Sequence, residues 1–246
     1  MKAILAYHSV DDSASPISVA PATFLEHVRW LARSDIAVVP LERLTALPHG
    51  VDAVAITFDD GIANITTTAI PALAEHGFPA TVFVVSERAG TTNAWHGRPD
   101  RGIPVLPLLS WDALARMGEV GITIGSHTRS HAALAGIDAG SLYDEVEESA
   151  ATILRRTGMR PHAFAYPYGS VDAAAAAAVR HSYRVACTTR LALLAPSDDA
   201  ALLPRLDAYY FRRPGRLAEW GSARFAARIR TRAAARWVRG VIRRTA

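Results

Sequence analysis

The sequence predicts an α/β protein folded as a (β/α) barrel. Short apolar runs alternate with helical patterns at least six times over 246 residues, which is typical of a parallel sheet. The chain lacks a dinucleotide-binding glycine fingerprint, so a barrel is favoured over an open sheet. Half of the residues are hydrophobic, enough for one large core. In such a barrel, functional side chains gather at the C-terminal ends of the strands.

Each early strand is predicted from an apolar run, and the helix after it from apolar residues at helical spacing. The first pairs are 3–7 with 24–33, 53–58 with 69–76, and 80–85 with 111–117. The next pairs are 121–126 with 141–156 and 162–166 with the alanine-rich 172–181, and two late strands cover 184–188 and 202–206. The longest irregular stretch, 86–110, is either a lid or binding loop or disordered surface.

Charge divides the chain into an acidic body and a basic tail. Residues 1–211 hold 16 Lys and Arg against 22 Asp and Glu, a net −6, whereas 212–246 hold eleven Arg and one Glu, a net +10. We expect the body to form a single domain and the tail to form a helix.

The tail pattern is that of a basic amphipathic helix. Arginines recur every four residues beside apolar ones: Arg224, Arg228, Arg232 and Arg236 with Phe225, Ile229, Trp237 and Val241. One interpretation is peripheral contact with an anionic membrane surface, and the alternative is packing against the acidic body. No nucleic acid is expected as a partner, because no base-stacking aromatics accompany a known nucleic-acid module.

The sequence contains no uninterrupted apolar run of about 18 residues, and the N-terminus becomes polar too soon for a signal-peptide core. We therefore expect a cytoplasmic protein, able to associate with a membrane only through its tail. Cys187 is the single cysteine, so no internal disulfide can form, and we expect it to be a buried strand residue.

Two adjacent carboxylates, Asp59 and Asp60, stand where predicted strand 53–58 ends and Gly61 permits a tight turn. Neighbouring side chains at a strand end point in different directions, so one acid can bind a metal while the other acts as a base. The alternative is that both only cap the turn or the next helix.

Two histidines four residues apart, His127 and His131, follow predicted strand 121–126. In a single helical turn, side chains at this spacing share a face, and both imidazoles reach one ion. Together with one carboxylate at another strand end, they form a site that leaves positions for water and substrate.

Taken together, these segments resemble the polysaccharide deacetylase family of NodB-homology carbohydrate esterases (carbohydrate esterase family 4). Members remove N- or O-acetyl groups from glycans with a divalent metal. The resemblance runs from about residue 4 to 209 and depends on segments 57–61 and 127–131. It implies a distorted (β/α) barrel, with residues 1–211 as the catalytic domain.

The resemblance also implies roles for individual residues. Asp59 would be the catalytic base, and Asp60, His127 and His131 would be the metal ligands. The backbone N–H of Tyr168, in the turn 164–169, would stabilise the oxyanion.

Two positions depart from the pattern that is common in the family. The arginine that orients the catalytic aspartate is replaced by Ala165, and Arg205 is our candidate to replace it from a late strand end. The alternative for Arg205 is a structural ion pair with an acid such as Asp207.

The second departure concerns the general acid, because the late Leu-x-His motif is missing and only His181 follows Gly169. The segment Tyr7-His8-Ser9 resembles a branch of poly-N-acetylglucosamine deacetylases that takes its acid from the first strand. We therefore expect His8 to donate a proton to the leaving amine. The alternative is a histidine hydrogen-bonded to a neighbouring loop.

The expected function is metal-dependent removal of an acetyl group from the amine of an N-acetylated sugar or glycan intermediate. Two imidazoles and one carboxylate suit Zn²⁺, although Co²⁺, Ni²⁺, Mn²⁺ or Fe²⁺ also fit. The expected location favours a free, nucleotide-linked or lipid-linked sugar. O-deacetylation or deformylation at the same site, or a catalytically weak glycan-binding pseudoenzyme, remain the alternatives.

Overall fold

A computed structural model describes every residue except His49, His96, Pro99 and Ala246, and it describes 237–245 by their backbone only. The strands are β1 (Lys2–Tyr7), β2 (Ser9–Val10), β3 (Ser18–Val19), β4 (Ala37–Val38), β5 (Ala53–Phe58), β6 (Ala80–Val84), β7 (Ile122–Ser126), β8 (Ala163–Ala165), β9 (Val185–Cys187) and β10 (Leu206–Asp207). The α-helices are α1 (Pro21–Arg33), α2 (Leu41–Leu44), α3 (Ala69–Glu75), α4 (Trp111–Ala115), α5 (Ala139–Tyr143), α6 (Ser149–Thr157), α7 (Ala173–Ser182) and α8 (Ala223–Thr245).

The main sheet is parallel and curled, in the order β10-β1-β5-β6-β7-β8-β9, with β4 also paired to β5. The segment before β10 links the two ends of this sheet. Leu203 bridges Cys187 of β9, and Leu206 pairs with Leu5 of β1. The prediction of a single-domain α/β protein with a distorted barrel is therefore confirmed.

The predicted elements recur within a few residues of their expected bounds, with three differences. The short strands β2, β3 and β4 and the one-turn helix α2 were not predicted. The predicted helix 141–156 is interrupted by a π-helical segment, Asp144–Glu148, between α5 and α6. The late strand 202–206 is broken, since Pro204 has no N–H to donate to a ladder.

Phe83 fills the interior of the barrel, where its neighbours include the small residues Ala55, Ala165 and Cys187. A Cβ atom on Gly125 of β7 would lie 2.5 Å from the Phe83 ring, so only glycine fits opposite that side chain. Cys187 is fully buried, as expected for a strand residue. Because Phe83 fills the interior, the polar side chains lie at the C-terminal end of the barrel.

The tail helix α8 begins by packing against the body. Phe225 and Ile229 are buried in the core, where the Phe225 ring lies 5.5 Å from that of Phe211 and 5.4 Å from that of Trp220. Arg228 pairs with Glu219 at 2.6 Å. These contacts are the packing alternative predicted for the tail.

The side chains of Trp237 and Val241, on which the membrane interpretation also depends, lie outside the described residues. Within the part of the chain that the structure describes, no helix is both long and apolar enough to cross a membrane.

Candidate active site

The carboxylate pair lies at the C-terminal end of β5, next to the strand ends of β1 and β6. Ala53 and Ala55 contribute to the inner core cluster, and the two-residue period of the strand carries Thr57 and Asp59 to the same face. Asp60 then adopts the left-handed conformation (φ 68°), which turns its carboxylate away from that of its neighbour. The following 3₁₀ turn, Ala63–Thr66, has no side-chain cap, so these acids do not cap it.

Asp59 is bound by Arg205, which lies directly before β10. The guanidinium donates from Nη1 to Oδ1 at 2.6 Å and from Nη2 to Oδ2 at 2.7 Å, and both side chains are about 3% exposed. The Nε–H of Arg205 donates to the carbonyl of Thr188 at 3.1 Å. The predicted alternative, a pair with Asp207, is not what the structure contains. Bidentate geometry fixes the plane of the Asp59 carboxylate.

The charge of Arg205 also sets the protonation of Asp59. Burial on its own would raise the pKa of this carboxyl, but Arg205 and His8 outweigh burial and hold the pKa below its ordinary value. Asp59 is therefore ionised at neutral pH, as a base must be before it accepts a proton.

Asp60, His127 and His131 converge, with one ligand atom from each lying within 4.8 Å of the others. The Oδ1 atom of Asp60 lies 3.4 Å from Nε2 of His127 and 3.3 Å from Nε2 of His131. All three residues are buried, and Oδ1 has no hydrogen-bond partner among the described residues. A buried carboxylate oxygen without a partner is costly in isolation.

A divalent metal fits this donor set. Ligand atoms about 2.1 Å from a tetrahedral ion lie about 3.4 Å from one another, close to the distances between Oδ1 and the two Nε2 atoms. Two imidazoles and one carboxylate are also the donors that zinc and its neighbours in the first transition row prefer. The orphaned oxygen would then have a partner.

The two histidines do not lie on a helical turn, and that part of the prediction is wrong. Residues 127–131 form a loop after β7, in which Thr128 (φ 67°) and His131 (φ 71°) are left-handed. The hydroxyl of Thr128 accepts a hydrogen bond from the His131 N–H at 2.9 Å. The carboxylate of Glu145 accepts from the N–H groups of Arg129 and Ser130 at 3.0 and 2.9 Å. These side-chain acceptors replace the hydrogen bonds of a helix and still bring both imidazoles together.

Each imidazole is oriented by a partner on its far nitrogen. Nδ1 of His127 lies 2.7 Å from the carbonyl oxygen of Ala165, and because a carbonyl only accepts, Nδ1 carries the proton. In its neutral form, which metal binding requires, His127 then presents an unprotonated Nε2 toward Asp60. Nδ1 of His131 lies 3.0 Å from the phenol oxygen of Tyr168. Ala165, which stands where the family commonly has arginine, thus contributes to the site through its backbone carbonyl.

Tyr168 lies in the 3₁₀ turn Pro167–Gly169 with left-handed backbone (φ 59°). The sequence pointed to its backbone N–H, whereas the contact of its phenol with His131 was missed. The ring of Trp95, in the 86–110 loop, stacks on His131 with centroids 4.3 Å apart. The loop therefore forms one wall of the pocket, which no local pattern around Trp95 specified.

His8 follows β1 and lines the same pocket as the acid pair and both candidate ligands. Its Nε2 lies 3.7 Å from Oδ2 of Asp59, and about a quarter of its side chain is exposed. His181, the other histidine considered for the acid, is exposed in the last turn of α7 and is not among the described residues that line the pocket.

Comparison with known proteins places this chain in a family. A family model described as polysaccharide deacetylase matches residues 47–186, more than half of the chain. YxkH of Bacillus subtilis is 26% identical over 192 residues, which are 76% of this chain and 63% of that protein. The poly-beta-1,6-N-acetyl-D-glucosamine N-deacetylase of Staphylococcus epidermidis is 26% identical over 203 residues, 77% of this chain and 67% of that enzyme. The chain thus spans about two thirds of the length of these relatives.

Solved structures show the same fold. IcaB from Ammonifex degensii superposes with a TM-score of 0.73 at 21% identity, over 85% of this chain and 93% of that one. The Streptococcus pyogenes deacetylase PplD superposes with a TM-score of 0.70 at 20% identity, over 83% and 91%. From the family match and the shared fold we conclude that the chain belongs to the polysaccharide deacetylase family.

Proposed function

We propose that this protein is a metal-dependent hydrolase that removes the acetyl group from the amine of an N-acetylated sugar. One observation carries the proposal: two adjacent carboxylates in one turn have different partners. The carboxylate of Asp59 is bound by the Arg205 guanidinium. The Oδ1 atom of Asp60 faces the imidazoles of His127 and His131 and has no hydrogen-bond partner among the described residues. The Staphylococcus epidermidis relative supports the substrate class, since its name specifies N-deacetylation of poly-N-acetylglucosamine.

Amide hydrolysis needs a stronger electrophile, an activated water and a protonated leaving amine. A divalent metal held by Asp60, His127 and His131 would polarise the acetyl carbonyl and lower the pKa of a water from about 16 toward 7. The chain's own residues supply the proton transfers.

Asp59 acts as the general base. Its carboxylate is ionised because Arg205 lowers its pKa, and each oxygen keeps a further lone pair beside the one that Arg205 occupies. Arg205 also prevents rotation of the carboxylate, so the accepting oxygen stays directed into the pocket. Burial of both residues excludes water that would compete for these contacts.

His8 acts as the general acid. It lines the pocket from the end of β1, is partly exposed, and its Nε2 lies 3.7 Å from Oδ2 of Asp59. The backbone N–H of Tyr168 supplies the hydrogen bond to the developing oxyanion, as the family resemblance implies. The phenol of the same residue keeps His131 in position.

The experiment is an acetate-release assay across N-acetylhexosamine derivatives, with metal content measured on the same preparation. We expect acetate release from at least one N-acetylated sugar by protein that holds about one divalent ion per chain, and loss of release after chelation. Metal-loaded protein that releases acetate from no N-acetylated sugar, but does so from an O-acetylated one, would contradict N-deacetylation.

A further inference from the structure

The tail helix contributes a cation to the pocket of the candidate active site. Arg236 of α8 lines the same pocket as His8, Asp59, Asp60 and His127. The first half of α8 is anchored by buried Phe225 and Ile229 and by the Arg228–Glu219 pair, so the position of Arg236 along the helix is set by packing.

Arg236 has hydrogen-bonding capacity to spare. Its Nη1 donates to Oδ2 of Asp207 at 3.4 Å, near the long limit for such a bond, and about 30% of the side chain is exposed. Asp207 is its one hydrogen-bond acceptor among the described residues. A guanidinium has five N–H donors in a planar fork, so most of those on Arg236 are available to a ligand.

The other arginine that lines the pocket already has partners. Arg205 donates to Asp59 and to the carbonyl of Thr188. Asp207 accepts from the Tyr209 N–H at 3.0 Å as well as from Arg236. Asp60 and Asp100 also line the pocket, and both are acids. Of the two described arginines that line the pocket, Arg236 is therefore the one with donors available to an anion.

A second arginine lies one helical turn before Arg236. The guanidinium carbons of Arg232 and Arg236 lie 5.6 and 6.0 Å from the centroid of the Tyr210 ring. Arg232 is not among the described residues that line the pocket, so a ligand there would be held by Arg236. The planar fork of a guanidinium matches the paired oxygens of a phosphate.

We infer that Arg236 binds a phosphate attached to the N-acetylated sugar, so that the substrate is an N-acetylhexosamine linked through a phosphoester rather than a neutral glycan. The inference depends on the proposed N-deacetylation at the same site. A sugar 1-phosphate, a nucleoside diphosphate sugar and a lipid diphosphate sugar all present this group. Asp207 serves to hold the guanidinium at the pocket.

The test compares N-acetylglucosamine 1-phosphate with methyl N-acetylglucosaminide, which has the same sugar without the charge. We expect kcat/KM for acetate release to be about tenfold or more higher for the phosphate, with the advantage reduced at 0.5 M NaCl. Arg236→Gln should remove the advantage and leave hydrolysis of the methyl glycoside unchanged. Arg230→Gln, an exposed arginine on the same helix, is the matched control and should change neither value.

Calorimetric binding of both sugars to the metal-loaded protein separates this inference from the proposed function. Phosphate-selective binding that is lost in Arg236→Gln, without acetate release from either sugar, would support the anion site and contradict N-deacetylation. Equal kcat/KM and equal affinity for both sugars would overturn the anion site. So would an Arg236→Gln variant that loses activity equally on both, because that pattern indicates a structural role.

Nucleoside diphosphate and short-chain polyprenyl diphosphate forms of the sugar identify the source of the phosphate. A further gain in kcat/KM with only one of them assigns the site to that linkage.

Discussion

Arg205 donates two hydrogen bonds, of 2.6 and 2.7 Å, to Asp59, although 146 positions separate the residues in the chain. The pair forms because β10, which Arg205 precedes, lies beside β1, and β1 lies beside β5, which ends at Phe58. The role that an arginine commonly has in the family, at the position occupied here by Ala165, is thus available from the segment before β10. The backbone carbonyl of Ala165 orients His127 instead.

Removing the charge of Arg205 should move the acidic limb of the pH–rate profile. Arg205 lowers the pKa of Asp59, so Arg205→Gln raises that pKa, and the active ionised base is then lost at a higher pH. We expect the acidic limb of kcat/KM to shift upward, with a rate loss of about 100-fold.

Arg205→Lys is the companion variant, since it keeps the charge but not the bidentate geometry. Arg205→Lys should leave the acidic limb of the pH–rate profile closer to that of the wild type. It should still lower kcat, because the bidentate contact is lost. An unshifted limb in Arg205→Gln, in protein with normal metal content, would show that Arg205 does not act on Asp59.

His8→Ala should lower the rate by about 100-fold or more and leave the metal content unchanged, because His8 donates a proton but is not a ligand. The readouts are acetate release and bound metal on the same sample. His181→Ala is the control, as this exposed histidine is not among the residues lining the pocket. The general acid is misassigned if His181→Ala, rather than His8→Ala, produces the loss.

Tyr168→Phe should weaken metal binding by about tenfold, because it removes the hydroxyl that orients Nδ1 of His131 but keeps the ring and the backbone N–H. Competition with a chromogenic chelator measures the change. Tyr143→Phe alters an exposed tyrosine and should have no effect. Normal metal affinity in Tyr168→Phe would show that the phenol does not support the ligand.

Gly125→Ala should destabilise the fold by about 1–3 kcal/mol, since the added Cβ would lie 2.5 Å from the Phe83 ring. Thermal unfolding measures the loss, and Phe83→Leu in the same chain should recover part of it by opening space. If the two substitutions destabilise additively, the contact between these residues is not the cause.

The sequence was informative where the determinants are local. Alternating apolar runs predicted the barrel, and the turn after β5 and the His127–His131 spacing pointed to groups that the structure brings together. The helical turn was wrong because Thr128 and Glu145 supply acceptors that favour a left-handed loop, and Glu145 lies on a different element. Spacing alone does not show which acceptor a backbone N–H will find.

Contacts between segments distant in the chain were harder to predict from the sequence. The stacking of Trp95 on His131 depends on how a 25-residue loop folds over the pocket, which no periodicity encodes. The arginine repeat of the tail indicated a basic face, whereas burial of Phe225 depends on a hydrophobic surface formed by Phe211 and Trp220. Arg205 was a candidate from its place at a late strand end, but only the fold distinguishes Asp59 from Asp207 as its partner.

Metal content measured beside acetate release in Asp59→Asn and Asp60→Asn tests whether the two adjacent acids have different duties. We expect Asp59→Asn to hold about one divalent ion per chain and lose most turnover, and Asp60→Asn to lose both the ion and turnover. Retention of the ion by Asp60→Asn, or its loss in both variants alike, would contradict the division.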